Sequence, residues 1–277
     1  RNDTGRLLEY SVSGPASGMP VIQTGGYTQT GRFYGVQPAF VKLYAKYNLR
    51  VFSISQPGFG RSDGTGPGVW RKAKDWPKDV EKILDKEGID QFLVLGTSFG
   101  CCVSLAVLAA FPGRALAGGL LSTTCPREVE RKAGVKMAAA TRIAKTLFSV
   151  PVVRDALGKM VGGMDTVERM KLAPDCREAM LRMDDPSDEY CVAHNLDQIK
   201  RDFIEDVQRS LAHTWRGLTD NMVTMEKWSA GEFDLGSITV PVIVSSAPDD
   251  STNPPQMQKW VAEALPRGRL LPVPAGF

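Results

Sequence analysis

Apolar and polar side chains alternate from Arg6 to Val12, the two-residue period of a half-buried strand, and Gly14-Pro15 turns the chain into a second apolar run at Pro20-Val21-Ile22. An aromatic-rich, helix-compatible stretch to Tyr47 precedes the β-branched run Leu49 to Ile54, which stops at Pro57-Gly58. Asp75 is placed to cap a helix whose apolar positions Trp76, Val80, Ile83 and Leu84 fall at helical spacing and which Gly88 ends. Phe92-Leu93-Val94-Leu95 is apolar on both faces, as strands inside a parallel sheet are. An apolar helix over Cys101 to Ala110, stopped by Pro112-Gly113, and a strand over Leu116 to Leu121 follow. From Pro126 to about Lys227 the texture is charged, Met-rich and amphipathic, without a strand signal. Strands resume at Val240 to Val244 and at Leu270 to Val273, with a helix over Pro255 to Leu265 between them. The pattern predicts an α/β fold: a mostly parallel sheet, helices covering it, a core from residues 1–125 and 228–277, and a helical lid inserted at 126–227.

Composition narrows the partners. The 277 residues are 43% hydrophobic and 23% charged, ordinary globular usage, and the net charge of +3 comes from basic residues dispersed among acids. Neither a nucleic-acid footprint nor a membrane span is expected, which leaves small molecules as the favoured partners. Five cysteines at no framework spacing read as reduced thiols, favouring a reducing compartment. The sequence opens on Arg1 rather than Met, so a leader before it, and with it the cellular address, is left open. Metal-ligand spacings, phosphate-binding loops and dinucleotide fingerprints are not seen, and no cofactor is predicted.

The chemistry lies in Gly96-Thr97-Ser98-Phe99-Gly100, a G-x-S-x-G between an apolar strand and an apolar helix. The two glycines leave room for a sharp turn that raises the Ser98 hydroxyl above the sheet at the positive end of the helix and aims the Phe99 N–H at an incoming carbonyl oxygen. An idle serine in a glycine-flanked turn is the bland alternative. With these flanks the chain resembles the α/β-hydrolase superfamily, in its lid-bearing, esterase-like branch, most specifically over residues 20–125 and 236–276, which implies a mostly parallel sheet of about eight strands with helices on both faces. Thr24-Gly25-Gly26 stands where that family has His-Gly-X, and the match implies the Gly26 N–H as second oxyanion donor. Gln56 to Asp63 resembles the family's D-x-x-G-F-G-x-S-D loop with Gln for the first Asp; that loop is structural, so Asp63 is a poor catalytic candidate. Ala247 to Pro254 resembles G-x-x-D-x-x-V-P and implies Asp250 as the catalytic acid, with Asp249 as fallback and a turn or helix cap as the bland role for both. Cys101 and Cys102 are expected to be packing residues.

A serine hydroxyl is a poor nucleophile until a base takes its proton, and the family's base is a histidine after the final strand. Here that region reads Pro272 to Phe277, so the resemblance implies a histidine one or two residues further on. His194 and His213 both fall in the insert and are expected to be partly exposed lid residues rather than substitute bases, His213 on a helix able to face the cleft. Two functions follow: a serine hydrolase of esters or related acyl bonds, or a non-catalytic relative serving as a ligand-binding or structural subunit of a larger assembly. The missing His, Thr24 for His and Gln56 for Asp motivate the second.

Overall fold

The computed structural model describes residues 5–65, 71–132, 216–248 and 252–273, together with 150, 152–153, 156, 202, 205–207, 209–210 and 250. Seven strands form one sheet in these residues: β1 (Tyr10–Ser13), β2 (Met19–Thr24), β3 (Leu49–Ile54), β4 (Phe92–Thr97), β5 (Ala115–Leu121), β6 (Val242–Ser246) and β7 (Gly268–Pro272). Their order is β1-β3-β2-β4-β5-β6-β7. Only β1 runs against its neighbour; every other pair is parallel. The first strand starts later than the alternation suggests, at Tyr10, because Leu7 and Glu9 are engaged by the 55–63 loop instead: Asp63 Oδ2 accepts from the Leu7 N–H at 2.6 Å and Ser62 Oγ from the Glu9 N–H at 2.9 Å. Asp63 is therefore a loop clamp, as the resemblance implies.

The helices are α1 (Gly31–Val36), α2 (Pro38–Lys46), α3 (Pro77–Glu87), α4 (Gly100–Ala110), α5 (Arg127–Lys132), α6 (Arg216–Lys227) and α7 (Pro255–Ala264). Helix α3 ends at Gly88 in the left-handed conformation (φ 64°), but its cap is Trp76, not Asp75. Asp75 closes the preceding 3₁₀ turn Ala73–Asp75 by accepting from the Lys72 N–H at 3.0 Å, and Pro77, which needs no N–H partner, opens the helix.

One face of the sheet carries Ile22, Phe52, Val94, Leu120, Val242 and Val244 and packs beneath α3, α4 and α7. Helix α4 is apolar all round because it is buried all round; Cys101, Cys102, Val103 and Leu105 are fully enclosed. The opposite face carries Val21 and Val51 under Tyr44 and Phe40 of α2. Further along that face Leu121, Ile243 and Leu271 are each more than two-fifths exposed. Helix α6 lies on the 56–63 loop: Asn221 Nδ2 donates to the Pro57 carbonyl at 3.2 Å, and a Cβ at Gly217 would overlap the Gly58 carbonyl. Within residues 205–210, part of the segment read as a lid, Asp206 and Arg209 reach the core at Thr30 and Glu9.

Candidate active site

The strand order reverses between β2 and β4, and the crevice at such a reversal, outside the carboxyl ends of parallel strands, is where open α/β sheets bind ligands. Ser98 sits there, directly after β4, with φ +51°, a left-handed conformation that an L-residue occupies at a cost. Its N–H donates to the Leu121 carbonyl at 2.8 Å and its own carbonyl accepts from the Cys101 N–H at 3.0 Å, so one residue both ends the strand and starts α4. The flanking glycines are steric necessities. A Cβ at Gly96 would stand 2.6 Å from Ser104 Oγ, and one at Gly100 would overlap the carbonyls of Thr24 and Gly25.

The loop after β2 borders the serine. A Cβ at Gly26 would lie 3.4 Å from Ser98 Cβ. Thr24, at the family's histidine position, bonds the Gly100 carbonyl and Ser104 Oγ at 2.8 Å each, which ties this loop to the first turn of α4. Gln56 Nε2 donates to the Gly25 carbonyl at 2.8 Å, a contact no aspartate makes at that position. The Gly26 N–H is occupied: it donates to Gln29 Oε1 at 2.6 Å. Phe99, the first residue inside the elbow, is fully buried and caps α4.

Asp250 follows β6 as expected, and four donors surround its carboxylate. The Thr252 and Asn253 N–H groups reach Oδ1 at 3.1 and 2.8 Å; Ser122 Oγ and Gln258 Nε2 reach Oδ2 at 2.6 and 2.9 Å. Asn253, 4% exposed, lies between this carboxylate and the serine, its Nδ2 donating to Ser122 Oγ at 3.1 Å and toward Ser98 Oγ at 3.4 Å. A hydrogen-bonded path thus runs from Ser98 through Asn253 and Ser122 to Asp250. An amide N–H₂ donates and takes no proton, so Asn253 holds the serine oxygen without activating it. Asp249, His194 and His213 lie outside the described residues.

Gln29, Ser122, Asn253 and Gln258 were not singled out in the sequence. Ser122 and Asn253 had one available signal, their position just past the carboxyl ends of two apolar strands. Cys101 and Cys102 are buried, and burial pushes Cys101 up to about 12 and Cys102 well above its ordinary value, so neither is a thiolate. Among the described residues no group of three or more His, Cys, Asp or Glu side chains is gathered to hold a metal ion, and no helix is long and apolar enough to cross a membrane.

Comparison with known proteins agrees with this fold. Structures aligning over nearly the whole chain include a hydrolase from Pseudomonas aeruginosa PA01 (16% identity, TM-score 0.69, 99% of this chain and 88% of that one) and an esterase from Rhodococcus sp. ECU1013 (21%, 0.68, with 99% and 88% covered). An enol-lactonase from Burkholderia xenovorans LB400 aligns at 19% identity and TM-score 0.63, covering 97% and 88%. Among curated sequences, the proline iminopeptidase of Neisseria gonorrhoeae is 30% identical over 107 residues, which is 39% of this chain and a third of that protein's length. The family model described as alpha/beta hydrolase fold matches residues 21–277, a span that takes in the elbow, the Gly25-Gly26 loop and Asp250, and the chain belongs to that family.

Proposed function

We propose that this protein is a serine hydrolase of esters or related acyl bonds, with Ser98 as nucleophile, the Gly26 and Phe99 N–H groups as oxyanion donors, and Asp250 orienting a histidine supplied by sequence following Phe277. The observation that carries the reading is the left-handed Ser98 between β4 and α4. A strained residue in such a strand-to-helix turn is the one whose hydroxyl stands above the sheet in a nucleophile elbow.

The chemistry balances with these groups. The Ser98 oxygen attacks the acyl carbon while its proton passes to the imidazole; the carbonyl oxygen becomes an oxyanion against the two N–H groups; the imidazolium returns the proton to the departing alcohol; and water repeats the sequence on the acyl-enzyme. Since four donors already fill the Asp250 carboxylate, the imidazole N–H enters by displacing one of them. Ser122 is the exchangeable one, because its hydroxyl rotates freely, whereas the two backbone N–H groups are fixed and the Gln258 amide is also anchored on the Asn253 carbonyl at 2.7 Å.

The test is a fluorophosphonate probe on the full natural chain. Stoichiometric labelling at Ser98, lost in Ser98→Ala together with roughly a millionfold of esterase rate, is the expected result. Folded protein that takes no label overturns the proposal and leaves the ligand-binding or structural subunit as the reading.

A further inference from the structure

We propose that Gln29 is a built-in competitor at the oxyanion site: its side-chain carbonyl holds the Gly26 N–H in the resting protein and leaves when an acyl oxygen arrives. The inference rests on Gly26 being an oxyanion donor, as argued above. Gln29 Oε1 accepts two hydrogen bonds, from the Gly26 N–H and from the Tyr34 hydroxyl, each 2.6 Å long. The Gln29 N–H donates to the Gly26 carbonyl at 3.2 Å, so the four-residue turn folds its last side chain back over its first amide. The glycines give this fold-back its room: a Cβ at Gly25 would stand 3.1 Å from Gln29 Cβ, and one at Gly26 would stand 2.9 Å from Oε1 and push the amide tip aside. Tyr34 is buried, and that burial pushes its phenol well above the usual value, so it remains a donor and steadies Oε1.

The chemistry of the competitor sets what it admits. An amide oxygen is a better acceptor than an ester carbonyl, so a bound ester displaces Gln29 poorly in the ground state. Its tetrahedral intermediate carries a full negative charge and forms a charge-assisted bond about twice as strong as a neutral one. The exchange therefore falls late along the reaction, where a gained contact raises turnover rather than mere binding. Release of Gln29 breaks no covalent bond and needs no co-reactant.

Two variants of similar length separate competition from simple support. Gln29→Met has no oxygen to offer Gly26, and its Ser98 is expected to label with fluorophosphonate about fivefold faster, the factor matching one neutral hydrogen bond of about 1 kcal/mol. Gln29→Glu offers a charged acceptor and is expected to label more slowly than wild type. If Gln29 merely props the loop, both variants slow, and the inference is overturned. A second readout needs no activity: in ¹⁵N-glycine-labelled protein the Gly26 amide proton should move upfield and lose exchange protection in Gln29→Met. An unmoved Gly26 resonance, or two slowed variants beside a reactive wild type, overturns the inference alone, whereas a wild type that takes no label overturns the hydrolase reading and the competitor role with it, leaving only the Gln29–Gly26 hydrogen bond.

Discussion

The two residues that depart from the family pattern next to the serine are both bonded into the site. Thr24 links the loop after β2 to α4 through Gly100 and Ser104, and Gln56 donates to the Gly25 carbonyl that the expected aspartate would have repelled. These replacements change which atoms hold the loop without removing a backbone donor. The serine itself is strained, as Thr28 and Ser122 beside it are, each with φ between 49° and 66°. A left-handed L-residue costs about 1–2 kcal/mol, and glycine escapes that cost while losing about 0.5–1 kcal/mol more backbone entropy on folding. Ser98→Gly should therefore melt about 2 °C above Ser98→Ala, both being unlabelled by the probe. A glycine variant that melts below the alanine variant would show that the bend at Ser98 is relaxed. Ser98, Gly96 and Gly100 were legible in sequence because their constraints are local and steric. Gln29, Ser122 and Asn253 were not, since an amide or hydroxyl looks the same in solvent as against a catalytic group, and the Asn253 contact spans 155 residues.

At the scale of elements, periodicity located the strands and helices, and Gly88 marked the end of α3 through its need for positive φ. The start of α3 was misread because Asp75 and Pro77 are both initiation signals two residues apart, and the aspartate serves the 3₁₀ turn. The region read as an inserted lid holds the clearest pH-dependent contact. Asp206 accepts from the Thr30 N–H at 2.8 Å and from the Thr30 hydroxyl, beside Arg209, which pairs with Glu9 at 3.3 Å. Burial, reinforced by the Glu9 charge and opposed by the Thr30 bonds and Arg209, pushes the Asp206 carboxyl up to about 7. The folded chain thus holds this proton more tightly than the unfolded chain, whose carboxyl titrates near 4. The stability gained by burying the neutral acid is complete below about pH 4 and is lost as pH rises through 7, at most about 4 kcal/mol. Asp206→Asn should flatten the dependence of the urea midpoint between pH 4.5 and 7.5. A slope equal to that of wild type would place the titrating group elsewhere.

For the molecule as a whole, four strand ends (β2, β4, β5 and β6) deliver Gly26, Ser98, Ser122 and Asp250 to one crevice, while residues that fix them lie in α4, α7, the 56–63 loop and the turns that carry Gln29 and Asn253. The order of strands and helices was readable because buried parallel strands are continuous apolar runs. Which face of the sheet each helix covers was not, since alternate residues of such a strand are equally apolar. Helix α4 carries a last consequence. Its adjacent thiols, Cys101 and Cys102, lie sealed in the first turn after Ser98 with Cys101 pushed up to about 12. An alkylating reagent meets them only during moments when the scaffold beneath Ser98 opens, so their modification rate, read by peptide mass spectrometry, clocks that breathing. The clock should slow when a covalent inhibitor clamps the serine. An unchanged rate would mean that the helix loosens independently of the serine turn it follows.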